Sequence, residues 1–316
     1  MAGVLSLFGA EAFLSPWVLG LFGLCIGSFL NVVIHRLPLM MEREWWEEIA
    51  RFLSDPATQT RALGSAPGLS AAELASTGKS IEGALQAQPA LNLSRPRSRC
   101  PSCGHMIRWY ENIPVLGWLR LKGRCSACGT RISFRYPAIE LLTGALFAAS
   151  AVKFGPVPGA LVYCIASALL IAMAFIDLDT QLLPDKLTFP LAGLGLAAAG
   201  AGWTGVSLQA SAWGLLAGYL SLWSVNWLYR IVRKTEGMGE GDFKLLAGLG
   251  ALMGWQVLPS IILLSSLVGA VVGVGLMLFR GHDRNVPIPF GPYLVGGGIA
   301  AMFFGQTFTR ALWSMS

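Results

Sequence analysis

Long apolar runs dominate this sequence and restrict its possible folds more than any other feature. A helix that spans a bilayer needs about 20 mostly apolar residues, and fewer where neighbouring helices bury part of it. On that basis the sequence predicts eight spans. They cover residues 14–34, 137–153, 156–176, 186–202, 208–230, 243–258, 259–279 and 288–307. The stretch 243–279 is compatible with one broken helix or with two spans that turn at Gly254 and Pro259.

The composition favours a polytopic membrane protein. Of the 316 residues, 54% are hydrophobic and 13% are charged, and the mean hydropathy is +0.59. Soluble domains carry about 25% charged residues. The first apolar run is preceded by no Lys or Arg, and the first basic residue is Arg36. The run therefore lacks the basic region of a signal peptide and is expected to remain as an anchor. We expect an all-α polytopic membrane protein with about eight transmembrane helices.

The basic residues predict the orientation of the chain. Residues 35–135 contain 14 Lys and Arg against 8 Asp and Glu, which accounts for the net charge of +6. The positive-inside rule places this region in the cytoplasm. Four basic residues of other loops then also lie inside: Arg233, Lys234, Arg280 and Arg284. Only Lys153 and Arg310 fall at outside ends. Membrane lipid is the expected partner of this charge. Nucleic acid is not, because no recognition motif accompanies the charge.

The predicted cytoplasmic region 37–135 has two parts. Residues 37–94 open with an amphipathic stretch that contains two adjacent tryptophans. From Asp55 to Leu93 they continue as an insertion rich in Ala, Ser, Gly, Gln and Pro, a composition that predicts poor order or a loose helix. The predicted domains are residues 1–36 (first span), 37–135 (cytoplasmic region, with a cysteine module at 95–135) and 136–316 (seven-helix domain).

Two Cys-x-x-Cys pairs mark the cysteine module. Between Cys100 with Cys103 and Cys125 with Cys128 lie 21 residues, a spacing close to that of four-cysteine zinc sites. The two-residue gap lets both thiolates of a pair reach one tetrahedral ion, and the Gly after each pair permits a tight turn. Because four thiolates leave no open position, we expect structural zinc. A disulfide framework is the alternative, which a reducing cytoplasm disfavours.

The segment between the cysteine pairs, residues 109–120, is aromatic and has a short period. We interpret it as the β-ribbon of a zinc ribbon, so that the fold class becomes an all-α membrane protein with a cytoplasmic zinc-ribbon-like module. From Arg95 to Arg135 the chain has nine Lys or Arg and one acid. Such a basic module is also suited to contact with anionic lipid headgroups.

Two carboxylates stand at matching ends of apolar runs. Asp177 ends the run 162–176, and Asp242 follows the glycine-rich stretch 237–241 and precedes the next run. Carboxylates near a bilayer are costly and usually functional. We interpret the three glycines at positions 237, 239 and 241 as a source of backbone freedom with φ above zero, and not as packing residues. The stretch would then be a flexible hinge that delivers Asp242 to the mouth of a helix.

A pair of carboxylates can hydrolyse an amide without a covalent intermediate. Two close carboxylates cannot both ionise cheaply, so that one keeps a proton and acts as the acid while the other activates water. The sequence contains no Gly-x-Ser-x-Gly or His-Glu-x-x-His motif and has three histidines. The alternative is ion or proton transport, for which paired acids usually lie at the bilayer midplane. The position at helix ends favours a protease but leaves transport open.

Asp179 and Asp185 lie close to Asp177 in sequence and have separate interpretations. Asp185 follows Pro184 and precedes the span 186–202, so it is predicted to cap that helix. Asp179 is predicted to be solvated. An electrostatic influence of either acid on the pair Asp177 and Asp242 is the alternative.

Four motifs in order resemble the type IV prepilin leader peptidases, which are bifunctional enzymes of the bacterial inner membrane. The motifs are Gly27 to Pro38, the two cysteine pairs, Ile176-Asp177 with Leu183-Pro184-Asp185, and Gly239 to Lys244. The last is similar to the Gly-x-Gly-Asp motif shared with preflagellin peptidases and, more distantly, with presenilin-type proteases. The likeness extends over nearly the whole chain and is weakest over 55–93.

The resemblance implies an aspartic endopeptidase with Asp177 and Asp242 as the catalytic pair. The enzyme would cleave the leader of type IV prepilins and type II secretion pseudopilins after a glycine, at the cytoplasmic membrane face. It would then N-methylate the new amino terminus with S-adenosylmethionine. No Rossmann-like Gly-x-Gly-x-x-Gly supports the methylation independently, and the residues that bind the methyl donor are not identified. The segment 27–135 is expected to hold the methyl donor, because it is the only region large enough to bind a polar cofactor outside the bilayer.

Overall fold

The computed structural model describes residues 13–64, 70–235, 237–280 and 288–313. Arg284, which the charge pattern predicts to lie inside, falls outside the described residues. Within them the regular structure is helical, and no β-strand forms. The chain divides into two compact units, which are residues 32–108 and residues 1–31 with 109–316.

Helices lie at all eight predicted apolar runs. In the described residues the helices are α1 (Pro16–Ser54), α2 (Pro56–Leu63), α3 (Ala71–Gln86), α4 (Leu116–Arg120), α5 (Arg135–Phe154), α6 (Pro158–Thr180), α7 (Asp185–Gly200), α8 (Leu208–Arg233), α9 (Glu240–Met253), α10 (Leu258–Arg280) and α11 (Gly291–Trp313). Within the described part of the chain, four helical segments are long and apolar enough to cross a membrane: α1, α5, α6 and Trp255–Leu278, which contains most of α10. The structure therefore supports a polytopic helical protein with four candidate spans.

The stretch 243–279 forms two helices. Gly254 ends α9 with φ of 86°, a left-handed value that favours glycine. A 3₁₀ turn follows at Trp255–Val257, and α10 begins at Leu258 with Pro259 in its first turn, where proline is well tolerated. The break therefore lies at the predicted position, between Gly254 and Pro259.

Helix α9 is the most deeply buried element of the larger unit, and it packs against α7 and α8. Five of its large side chains are at most 1% exposed: Phe243, Leu245, Leu246, Leu249 and Leu252. Glycines permit the close approach of the backbones. A Cβ at Gly214 would lie 2.1 Å from the carbonyl oxygen of Gly250, and one at Gly195 would lie 2.6 Å from the backbone of Ala251. Small residues at such crossings are typical of membrane helix packing.

Two helices form in the described part of the insertion 55–93, and residues 87–93 follow them without helical structure. Its composition predicted poor order or a loose helix, and α2 and α3 form there, with residues 65–69 outside the described part. Gly78 of α3 packs closely on α1, because a Cβ at this position would lie 2.7 Å from the carbonyl oxygen of Ala50. This tertiary contact explains a helix that the polar and small-residue composition of the segment alone did not specify.

Arg36 connects α1 to the loop that precedes the first cysteine pair. Its side chain is buried, and the guanidinium donates to the carbonyl oxygens of Asn92 at 2.9 Å and Pro96 at 2.6 Å. These bonds satisfy a charged group that burial would otherwise penalise. They also hold residues 92–96 against the helix.

The segment 109–120 does not form the predicted β-ribbon. Trp109–Glu111 is a 3₁₀ turn, and residues 116–120 form α4. The Val115 N–H donates to the carboxylate of Glu140 at 2.7 Å, a contact with α5 that the local pattern could not indicate. In the described cysteine region, the extended pairings are two isolated bridges, Arg99 with Met106 and Arg124 with Arg131. The zinc-ribbon-like part of the predicted fold class is therefore wrong in its β-structure.

Candidate active site and cysteine cluster

Asp177 lies in the last turn of α6 and is 5% exposed. Its carboxylate Oδ2 accepts a hydrogen bond from the backbone N–H of Gly291 at 3.0 Å. Helix α6 ends directly afterwards, where Gln181 takes a left-handed conformation and donates its N–H to the carbonyl oxygen of Asp177. The backbone of Asp177 is thus held by the end of its own helix, and its carboxylate is held by the start of α11.

Asp242 lies in the first turn of α9 and is 7% exposed. Among the described residues, its buried Oδ1 has no hydrogen-bond partner. The Asp242 and Asp177 carboxylates interact electrostatically. Buried polar atoms are normally paired, so an unpaired carboxylate oxygen indicates a group with a role other than stabilising the fold.

Leu183, in the loop between α6 and α7, lies close to two glycines of the site, Gly241 and Gly291. A Cβ at Gly241, the residue before Asp242, would lie 2.5 Å from the Cβ of Leu183. A Cβ at Gly291, which binds Asp177, would lie 3.2 Å from the Cδ1 of Leu183. The loop between α6 and α7 therefore contacts both the α9 and the α11 sides of the site through one side chain.

The glycine-rich stretch is not the predicted hinge with φ above zero. Gly239 has φ of −73° at the start of α9, and Gly241 lies within the first turn of that helix. Gly237 and Gly241 are instead required by packing, since a Cβ at Gly237 would lie 2.7 Å from the ring of Tyr229. A Cβ at Gly239 would meet no atom within 4 Å. The interpretation of these glycines as residues not needed for packing is therefore wrong for two of the three.

Replacing Gly241 by Val is expected to lower the peptidase activity that the sequence resemblance implies by about tenfold or more. The added atoms would overlap Leu183, and relieving such an overlap costs about 1–3 kcal/mol or displaces the start of α9. Gly239→Ala is the matched control, because the space at that position is open. The measurement is the cleavage rate of each purified variant. Equal rates would show that packing against Leu183 is not the reason that a glycine is needed at position 241.

Asp179 and Asp185 both form ion pairs in the structure. Asp179 accepts two bonds from the Arg135 guanidinium, at 2.7 Å and 2.6 Å, so it is paired and not simply solvated. Asp185 is the first residue of α7 and does not cap it, because Pro184 occupies the capping position. Its two carboxylate oxygens lie 2.7 Å and 2.9 Å from Nζ of Lys244. Asp179 and Asp185 therefore bind cations, whereas the local sequence predicted solvation of Asp179 and helix capping by Asp185.

The four acids around the site therefore fall into two classes. Asp179 and Asp185 have cationic partners and partly exposed side chains. Asp177 and Asp242 are buried, and none of the ion pairs among the described residues includes them. A buried pair without a neutralising cation shares protons more readily than a salt-bridged one, because two close negative charges are unfavourable. Such a pair can supply one acid and one base.

Three residues near the site were not identified from the sequence. Arg135 and Lys244 hold the neighbouring acids, and Gly291 binds Asp177. Lys244 belongs to the motif Gly239 to Lys244, so its position two residues after Asp242 could have indicated that it lies near the site. No local sequence signal indicated Arg135 or Gly291, because their partners lie 44 and 114 residues away in the chain.

The two cysteine pairs have the same local fold. In the first pair, the Cys100 N–H donates to the carbonyl oxygen of His105, and Gly104 has φ of 72°. In the second, the Cys125 N–H donates to the carbonyl oxygen of Thr130, and Gly129 also has φ of 72°. Each pair thus stands on a tight turn that needs its glycine, as the sequence predicted.

The four cysteine sulfurs form one cluster. The Sγ atoms of Cys100, Cys103, Cys125 and Cys128 all lie within 4.8 Å of one another. All six cysteines of the chain are described, and none forms a disulfide. Four converging thiols at this separation fit the ligand set of a tetrahedral metal ion. The donor set favours a soft or borderline ion such as zinc.

Comparison with known proteins shows where this chain belongs. Residues 21–154 match the bacterial peptidase A24 N-terminal domain, and residues 164–274 match the type IV leader peptidase family. A prepilin leader peptidase/N-methyltransferase of Aeromonas hydrophila is 47% identical over 299 residues, which cover 93% of this chain and 94% of the relative. The chain belongs to the type IV leader peptidase family. Relatives with the same name in Pseudomonas aeruginosa and Stutzerimonas stutzeri are 47% and 46% identical, and each alignment covers 92% of this chain and 90% of the relative.

The aspartates and the clustered cysteines lie in different matched regions. Asp177 and Asp242 fall within 164–274, and the four clustered cysteines fall within 21–154. Gly291 lies beyond both regions, although it binds Asp177. No solved structure matches this chain.

Proposed function

We propose that Asp177 and Asp242 are the catalytic pair with which this protein removes the leader of type IV prepilins and pseudopilins. Membership of the family makes the chain a prepilin leader peptidase with N-methyltransferase activity. The observation that carries the residue assignment is the burial of two interacting carboxylates, neither with an ion-pair partner among the described residues. Family membership also favours this activity over the transport alternative.

The pair can perform hydrolysis with balanced protons. The ionised carboxylate takes a proton from a water molecule as its oxygen attacks the carbonyl carbon of the scissile bond, while the protonated carboxyl donates to the carbonyl oxygen. The carboxyl that took its proton from water then gives that proton to the departing amine as the carbon–nitrogen bond breaks, and a hydroxyl of the tetrahedral intermediate returns a proton to the other carboxylate. The leader leaves with a new carboxyl group, which ionises in water, and the pilin acquires a free amino terminus. No covalent intermediate is needed, and the pair returns to one proton.

We place this reaction at the cytoplasmic face of the bacterial inner membrane in an eight-span protein. The excess of Lys and Arg in 35–135 supports the orientation. Helices at all eight apolar runs support the number of spans, with 136–316 as the seven-helix peptidase domain and 37–135 as the cytoplasmic region. Asp177 lies in the last turn of one helix and Asp242 in the first turn of another, which is consistent with both carboxylates lying at one membrane face.

The proposed cofactors have separate tasks. The convergence of four thiols supports one structural zinc ion held by Cys100, Cys103, Cys125 and Cys128, which would fix the two turns together. S-adenosylmethionine supplies the methyl group in the second activity, and no residues of the chain are assigned to its binding. The methyl acceptor is the amine that cleavage exposes.

Mass spectrometry of a full-length prepilin tests the function. The prepilin is incubated with the purified protein, with and without S-adenosylmethionine. Loss of the leader mass is expected in both samples, and a further gain of one methyl group only where the methyl donor is present. An unchanged prepilin mass with well-folded protein would refute the peptidase, and ion transport would then be the function to examine.

The aspartate variants are expected to methylate a pilin that has already been cleaved. Methyl transfer from a sulfonium requires a positioned neutral amine and not a water-activating pair. Asp242→Asn should therefore give neither product from full-length prepilin but label a mature pilin at a rate within about threefold of the unmodified enzyme. Incorporation from labelled S-adenosylmethionine measures this. Absence of label, with the unmodified enzyme active on the same mature pilin, would mean that both reactions use one site.

A further inference from the structure

Gly291 begins α11 and has an N–H that points at the proposed catalytic pair. The first turn of a helix leaves N–H groups without acceptors in the helix itself. In α11, Pro292 has no N–H, and the N–H groups of Tyr293 and Leu294 bind the carbonyl oxygen of Phe290. The Gly291 N–H is directed to Oδ2 of Asp177 at 3.0 Å. The N-terminus of this 23-residue helix thus binds the Asp177 carboxylate through the Gly291 N–H.

A side chain cannot be added at Gly291 without moving the carboxylate. A Cβ there would lie 2.6 Å from Oδ2 of Asp177 and 3.1 Å from its Cγ. The nearest contact is the end of an aspartate side chain, so the overlap is relieved by rotation of the carboxylate and not by separation of the helices. The absence of a side chain at position 291 therefore permits the observed hydrogen bond.

The bond also counteracts an unfavourable position. Asp177 lies in the last turn of α6, where free carbonyl groups give the helix end a partial negative charge. The start of α11 presents the opposite partial charge to the same carboxylate. A hydrogen bond from an N–H to an ionised acceptor is stronger than one between neutral groups.

We propose that Gly291 is a positioning residue of the peptidase reaction, which orients the Asp177 carboxylate through its backbone N–H and lack of a side chain. This inference rests on the proposed function of Asp177. Gly291 lies outside residues 164–274, which match the type IV leader peptidase model, and its partner is 114 residues earlier in the chain. It adds the start of α11 as a third element of the site, beside the end of α6 and the start of α9.

Kinetics of Gly291→Ala test the inference. Misplacement of a reacting group by about 1 Å can cost about 100-fold in rate. We expect kcat for prepilin cleavage to fall by about 10- to 100-fold while KM stays within about twofold. Methylation of mature pilin should remain within about threefold of the unmodified enzyme, and the thermal unfolding midpoint should change little.

Two glycines of the same helix provide controls. A Cβ at Gly296 would meet no atom within 4 Å, so Gly296→Ala should cleave normally. A Cβ at Gly298 would lie 2.7 Å from the side chain of Leu249, so Gly298→Ala disturbs packing away from the carboxylates. It should retain at least ten times the kcat of Gly291→Ala.

Three outcomes would overturn the inference and leave the proposed function intact. They are normal cleavage by Gly291→Ala, a rise in KM with kcat unchanged, or an equal loss of kcat in Gly298→Ala. The first would show that the hydrogen bond is dispensable, the second that position 291 contacts substrate, and the third that helix packing is responsible. Failure of the unmodified enzyme to cleave would instead refute the proposed function, and this inference with it.

Discussion

Replacement of Asp177 or Asp242 by Asn is expected to lower prepilin cleavage by about 10³-fold or more. Asn keeps the shape of the side chain but can neither take nor supply the proton, and general acid–base groups that act as a unit contribute about 10²- to 10⁴-fold. Folding should persist, because the amide oxygen introduced by Asp177→Asn can still accept the Gly291 N–H. Cleavage assays and thermal unfolding of each purified variant provide the measurement.

The neighbouring acids offer matched controls for the loss of one charge. Asp179→Asn and Asp185→Asn each weaken an ion pair with Arg135 or Lys244, respectively. Partly exposed ion pairs contribute about 0–1 kcal/mol. Both variants should therefore retain cleavage within about threefold of the unmodified enzyme. This contrast separates proton transfer from a general effect of charge at the site.

Substantial cleavage by Asp177→Asn or Asp242→Asn, at normal expression, would contradict the assignment. The double variant sharpens the comparison, because two groups that form one unit lose little more together than either loses alone. A further large loss in the double variant would show that the carboxylates act independently. In that case the buried arrangement would serve stability or binding.

The positions of the helices could be predicted from the sequence, because long apolar runs have few alternative structures. The runs 156–176 and 208–230 correspond to α6 and α8, and the break near Gly254 was indicated by glycine and proline. The number of membrane crossings could not be established in the same way. Helix α9 has 14 residues, and its burial among other helices was not visible in its own sequence.

The candidate site was predicted in its residues but not in its supporting contacts. Asp177 and Asp242 were indicated by their place at the ends of apolar runs, which is a local feature. Gly241 was assigned backbone freedom, whereas its contact is with Leu183 in a different loop. Close approach between distant segments leaves the same signal as a flexible turn, namely a glycine.

The prediction of a β-ribbon over residues 109–120 was wrong for a related reason. The aromatic, short-period pattern of these residues suits a strand, but a strand requires a partner strand, and α4 forms instead. Glu140 on α5 binds the Val115 N–H and so fixes the backbone just before this short helix. Tertiary contacts override a weak local preference. The prediction of the two cysteine turns was confirmed, because each turn is specified within six residues by its own hydrogen bonds and glycine.

Replacement of one clustered cysteine by Ser is expected to remove zinc and unfold the cysteine module. The protein prepared without chelator should contain one zinc per chain, and Cys125→Ser should contain less than about a tenth of that. Metal binding at a structural site contributes about 10–16 kcal/mol to folding in zinc-finger peptides. Elemental analysis measures the zinc, and limited proteolysis between residues 95 and 135 measures the order of the module.

Cys25→Ser is the matched control, since Cys25 lies outside the cluster in the apolar first half of α1. It should keep both the zinc and the protease resistance of the unmodified protein. Cleavage by Cys125→Ser should fall in parallel with unfolding and should not be restored by a change of pH, because a four-thiolate ion has no open position for water. Chelator-free protein without stoichiometric zinc would refute the metal site. Retained cleavage in a zinc-free, proteolysed variant would show that the aspartate pair functions independently of the cysteine module.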